Sequence, residues 1–376
     1  MSSHLRYVDR LRAIGVIGVI VVHTTQFAFA NFDVQPGPSY AVLTLLLSGR
    51  FGVEVFFLLS GFLLSYLYEN PKNKKSTKQY ILARFFRIWP LWMLFSCIWA
   101  IVFVTVGKSN FDSDQSIFLW VVTGVFLSSV FLLWTSPDHF DSFIGGAWSI
   151  QIEVFSYIIF AFLRGKSVRL IIALAIGVNI LGLVLAFTSS VDGYGSLDAL
   201  GRLSFQTGFN FFVLGWLVSR VFANYKILAE KPNSLNSGVP EAFRLVFGKH
   251  YFLAGIWVFS FLVSPAVYGN TIEVLGFVLL ALVIAQISGN SPFLAKILER
   301  TGKLSYFMFF MHFLCLYFAN YLIPIVSRPS SLVTVLLFDS IVIIIIFGLS
   351  FIPATLSLRF FETPVMAWAR RLGDNK

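Results

Sequence analysis

The sequence is poor in charge. Only 12% of its 376 residues are Asp, Glu, Lys or Arg, against about 25% in a soluble domain. It has two cysteines, Cys97 and Cys315, both inside apolar runs. That excludes a disulfide framework and predicts two buried thiols acting as small hydrophobes. Phosphate-cradling and dinucleotide glycine loops, a G-x-S-x-G elbow and Cys/His metal spacing are all missing. No nucleotide hydrolysis, redox cofactor or metal is therefore expected. No internal repeat is visible, which weakens an inverted-repeat transporter.

What the chain has is apolar length: 57% of its residues are hydrophobic. Eleven windows are long enough to cross a bilayer: 11–30, 51–68, 88–106, 117–134, 148–163, 170–187, 205–221, 251–267, 271–287, 304–325 and 331–352. The first window lacks a small-residue cleavage site and reads as a retained helix. If 117–134 is re-entrant or lies along the surface, ten spans remain and both termini are cytoplasmic. Twenty-four of the 28 Lys and Arg then face inward, leaving Arg50, Lys108, Arg202 and Arg328 outside. If 117–134 crosses, the split becomes 11 inside to 17 outside, so the positive-inside rule favours ten spans. The net charge of +10 belongs to these loops and does not call for nucleic acid. The reading is an all-α polytopic membrane protein, one domain over residues 1–376. The stretch 222–250, with Pro232 and Pro240, reads as a flexible connector, and the tail after Ile352 is too short for a further domain.

The candidate chemistry starts at Asp9-Arg10-Leu11-Arg12 and His23. Eleven helical positions put Arg12 and His23 on one face, roughly 16 Å apart along the axis. A lone intramembrane His ordinarily packs, but this register favours a working role. Glu153, in Trp148-Ser149-Ile150-Gln151-Ile152-Glu153, is a second ionisable group in a span. It is a natural partner to orient His23, or else a protonated acid bonding a carbonyl. Arg50 and Glu54 are spaced i, i+4 and can pair. Gly52 and Gly61, beside Ser60, permit close helix approach. Arg84 and Arg87, at i, i+3, either anchor a cytoplasmic helix end or join Arg12 in a basic cup for phosphates. His312 lies in an aromatic run where packing is its ordinary role.

In order along the chain, these residues resemble the acyltransferase 3 family of membrane O-acyltransferases. The resemblance rests on Asp9-Arg10-Leu11-Arg12 through His23, Gly52-Val53-Glu54 through Ser60-Gly61-Phe62, and Arg84 to Arg87. It continues through Trp148-Ser149 to Glu153, Gly302-Lys303-Leu304-Ser305-Tyr306 to His312, and Phe361-Glu362-Thr363-Pro364. Glu54 stands where the family pattern more often has Asp.

The resemblance implies transfer of an acyl group, usually acetyl from cytoplasmic acetyl-CoA, to a hydroxyl of a cell-envelope glycan such as O-antigen, exopolysaccharide or a lipid-linked sugar. It implies a multi-pass protein of the bacterial inner membrane, like the stand-alone members. It makes His23 catalytic, with Glu153 orienting it, and gives the donor to Arg12, Arg84 and Arg87. Asp9, Arg50, Glu54, Ser60, Trp148, Ser149 and His312 would shape the site. CoA is polyanionic and does not cross a bilayer, so its phosphates belong on the basic side. His23 then acts as general base on the acceptor or carries the acyl group itself. The competing reading is a transporter or flippase of lipid-linked sugar that uses His23 and Glu153 as a proton relay.

Overall fold

The computed structural model describes residues 3–31, 50–69, 76–106, 147–191, 197–229, 239–262, 271–319 and 332–374. Among them every regular element is helical. The order is α1 (Ser3–Asn31), α2 (Arg50–Tyr68), α3 (Thr77–Val106), α4 (Ala147–Leu163), α5 (Val168–Val191) and α6 (Leu197–Ala229). Then come α7 (Val239–Phe247), α8 (Tyr251–Leu262), α9 (Thr271–Ile287), α10 (Pro292–Ala319), α11 (Leu332–Ser357) and α12 (Thr363–Asp374). In hydrocarbon a backbone satisfies its N–H and C=O groups only internally, so apolar runs of this length form helices.

Among the described residues five helical stretches are long and apolar enough to cross a membrane. A sixth is added if α7 and α8, bent by 94° at their break, form one broken span. That is fewer than the ten spans expected, and the window 117–134 lies outside the described residues. Phe162, Phe252, Ile344 and Ile352 stand exposed on the outer helices, the surface a lipid-facing helix presents. The chain is a polytopic membrane protein.

Helix α1 is the hub, packed against α2, α9, α10 and α11. Its approach to α10 is governed by Gly302, where a Cβ would collide with the Asp9 carbonyl. Asp9 meets Gly302 and His23 meets His312, so α1 and α10 run parallel. Helices α2 and α6 touch backbone to backbone: a Cβ on Gly61 would strike the Phe212 carbonyl, and one on Gly215 the Leu58 carbonyl. Gly52 likewise faces Gly15, so both glycines expected to permit close packing do so. Helices α3 and α4 are antiparallel, because Thr77 meets Arg164 and Tyr80 meets Tyr157.

Three expectations change. Residues 239–247, read as connector, form α7: Pro240 sits in its first turn, where a missing N–H costs nothing, and Ala242 and Phe247 are buried. Helices α3 and α10 begin about three turns before their apolar windows, because charged residues stop a hydropathy window without stopping a helix. Both cysteines are free, but Cys97 is exposed and Cys315 only half-buried. At the far end Pro353 lies within α11, and a single π-turn at Leu358–Glu362 leads into α12. Helix α12 packs on α3. The motif Phe361-Glu362-Thr363-Pro364 thus makes this turn: Ser357 donates to Glu362 (3.1 Å) and Thr363 to the Leu358 carbonyl (2.6 Å).

Candidate active site

Four helices wall a narrow cavity of about 70 Å³, lined by Arg12 of α1, Ser60 of α2, Arg84 and Arg87 of α3, and Ser149, Glu153 and Tyr157 of α4. Helix α10 closes it with Ser305, Tyr306 and Phe309. Helical periodicity explains the convergence. Arg84, Arg87 and Ile88 lie on one face of α3, and Ser149, Glu153 and Tyr157 follow at four-residue steps on α4. The three arginines expected to form a cup do share this space.

Among the described residues, the only ion pair made by these arginines is the long Arg12–Asp9 contact at 3.5 Å. Arg84 lies over the rings of Tyr68 and Tyr157, 5.7 Å from each centroid. One terminal nitrogen of Arg84 also makes a long hydrogen bond to the Tyr68 hydroxyl (3.5 Å), while its buried Nε has no hydrogen-bond partner among the described residues, so part of the guanidinium remains for an anion. The neighbouring Arg10 is committed elsewhere, to the Ala285 carbonyl (3.0 Å) and to Glu299 (2.9 Å).

Glu153 faces the same cavity. Its Oε1 accepts from Ser60 Oγ at 3.0 Å and from the Tyr157 hydroxyl. This replaces the expected pairing of Glu153 with His23. Six residues into α4, Glu153 lies level with the arginines rather than with the imidazole. The partner of His23 is His312, with His23 Nδ1 and His312 Nε2 3.0 Å apart. His312 is fully buried, and His23 keeps part of its surface exposed. Packing, the ordinary role for His312, is therefore an incomplete description of it.

Phe309 joins the two halves. It lines the cavity, and its ring sits 5.9 Å from that of His312, one turn on. A basic cavity and a histidine pair are thus stacked along the α1/α10 seam.

Asp9 is buried beside Arg12, Ser149 lines the cavity, and Glu54 is fully buried in α2 without lining it. The side chains of Arg50 and Trp148 lie outside the described residues. Tyr157, Tyr306 and Phe309 carry no role in the sequence analysis. For Tyr157 a signal existed, since it stands one helical turn from Glu153.

A family model described as an acyltransferase domain, that of the acyltransferase 3 family, matches residues 5–355. The chain belongs to this family. Acyltransferase 3 membership accounts for the ordered motifs, each of which the structure places at the α1/α10 seam, at the cavity or at the turn into α12. The chain is 25% identical to peptidoglycan O-acetyltransferase OatA of Listeria monocytogenes. That match covers 95% of this acyltransferase 3 chain and 55% of the relative, so the chain spans about half the relative's length. No solved structure matches it.

Proposed function

We propose that the chain moves an acetyl group from cytoplasmic acetyl-CoA to a hydroxyl of a cell-envelope glycan. The observation that carries this reading is the alignment, within an acyltransferase 3 chain, of an arginine-lined cavity with a histidine pair. Arg12, Arg84 and Arg87 bind the donor's phosphates, and the acyl arm runs along the α1/α10 seam past Phe309. The acceptor oxygen bonds the thioester carbonyl carbon while the carbon–sulfur bond breaks. His23 takes the hydroxyl proton and returns it to the leaving sulfur, so CoA departs as the free thiol. Glu153, held by Ser60 and Tyr157, works at the donor end of the cavity. The acceptor is a polysaccharide or lipid-linked sugar at the outer membrane face, with surrounding lipid as the protein's other partner.

We place both termini in the cytoplasm of a bacterium, with ten spans in its inner membrane. The antiparallel pair α3/α4 and the parallel pair α1/α10 have the relative directions that a ten-span arrangement requires.

The test is turnover of acetyl-CoA by the purified chain in lipid vesicles, with mass spectrometry of envelope glycans from cells with and without the gene. His23→Ala is expected to abolish turnover with its melting profile unchanged. Turnover surviving in that variant overturns the reading.

A further inference from the structure

We infer that His312 fixes the tautomer of His23, leaving His23 Nε2 as the reacting nitrogen. The chemical consequence rests on the acyl-transfer reading above; the tautomer rests on geometry alone.

Met308 stands four positions before His312 on α10. Its carbonyl oxygen lies 3.3 Å from His312 Nδ1, one turn on along α10. A carbonyl only accepts, so that nitrogen carries a proton. A neutral imidazole has a single N–H, which makes His312 Nε2 an acceptor. A second proton would put an uncompensated charge on a fully buried ring among Phe309 and Phe313. The atom facing His312 Nε2 at 3.0 Å is His23 Nδ1, so His23 must donate. Its own single N–H is then spent, and its Nε2 keeps a lone pair.

The rings agree with this assignment. Their centroids are 5.2 Å apart with planes inclined by 16°. The centroid separation exceeds the N···N distance by only two imidazole radii, so the rings meet edge to edge. Each lone pair lies in its ring plane, and the N–H therefore points along the acceptor's lone pair. Phe313 touches both rings, with centroids 4.0 Å from His312 and 4.7 Å from His23. Neither imidazole turns without displacing it.

His312 is thus a positioning residue. It plays the part a carboxylate plays beside a catalytic histidine elsewhere, holding one ring nitrogen protonated so that the other is the base or nucleophile. When Nε2 takes the hydroxyl proton, the charge on His23 is shared through Nδ1–H with the His312 lone pair. Once the proton passes to the departing sulfur both rings are neutral again.

Nitrogen NMR of the full-length chain, labelled with [15N]histidine in nanodiscs and assigned with H23Q and H312Q, tests the tautomer directly. A pyrrole-type signal for His23 Nδ1 and a pyridine-type signal for Nε2 are expected; the reverse overturns the inference. Kinetics give a second readout. His312→Leu removes the acceptor and is expected to lower kcat by ~10–100-fold at unchanged KM for acetyl-CoA. His312→Gln, which presents an amide oxygen to His23 Nδ1, recovers most of that loss. Equal losses in both variants, or a loss confined to KM, overturn the inference. If the Leu variant does not fold, the wild-type spectrum still decides. Survival of turnover in His23→Ala would remove the acyl-transfer reading and leave the tautomer assignment standing.

Discussion

Arg220 of α6 grips Glu69, just past the end of α2, through two hydrogen bonds, from Nε at 2.9 Å and from a terminal nitrogen at 2.6 Å. Trp216 Nε1, the Gly165 backbone N–H and Ser65 Oγ add three more donors at 2.8–3.0 Å. One carboxylate thus ties α2, α6 and the α4–α5 turn together. Arg220→Ala leaves it buried without its counter-charge and is expected to destabilise the protein by about 3 kcal/mol. Thermal unfolding in detergent checks this.

The same cluster sets a pH dependence. Burial pushes the Glu69 carboxyl up, but the hydrogen bonds and charge of Arg220, with Gly165 and Trp216, outweigh it and hold the group below its ordinary 4.5. A depressed carboxylate contributes stability above its unfolded value and loses it as pH falls through the native one. Melting temperature is expected to drop as pH falls below 4.5, and Glu69→Gln to flatten that drop. An equally steep fall in the Gln variant would assign it to other groups.

Gly302 tests the α1/α10 seam. Its missing Cβ makes room for the Asp9 carbonyl, so even Gly302→Ala forces the helices apart, at about 1–3 kcal/mol. Because the cavity and the histidine pair both lie on this seam, turnover should fall further than the lost stability alone explains. A variant with a lowered melting temperature and unchanged kcat would separate the seam from the chemistry.

Arg84→Ala and Arg87→Ala are each expected to raise KM for acetyl-CoA by about 10-fold or more, the worth of a charge-assisted hydrogen bond. kcat should change little, and the effect should shrink for a donor lacking the nucleotide phosphates. Lysine at either position restores charge without the planar fork and recovers part of the loss. Equal KM for wild type and both alanine variants would place the phosphates elsewhere.

Ser60→Ala and Tyr157→Phe each remove one donor from the same Glu153 oxygen. Among the described residues, either alone leaves the carboxylate one hydrogen-bond donor, and together they leave none. The double variant is expected to lose more activity than the product of the single losses, and a double-mutant cycle measures that coupling.

The hydropathy windows made the helical class legible, and ordered motifs made the family legible. Helix starts were less so. Lys296, Glu299, Arg300 and Lys303 belong to α10 as surely as its aromatic run does, but a window that scores apolarity ends at them. The arginine cup was legible because its members share helical spacing and charge. The partner of His23 was not. Pairing Glu153 with it assumed a common depth, and depth along a helix depends on where that helix starts and how it tilts, which pairwise spacing does not encode. The His23–His312 contact joins helices far apart in sequence, and a lone imidazole among phenylalanines gives no cue to the ring it will meet.

His23 and His312 are 289 positions apart. During synthesis α1 is made 289 positions ahead of its α10 contact, so the His23 imidazole emerges without the ring inferred above to orient it. On the proposed reading, a nascent chain is expected to hold no oriented His23 until α10 docks beside α1.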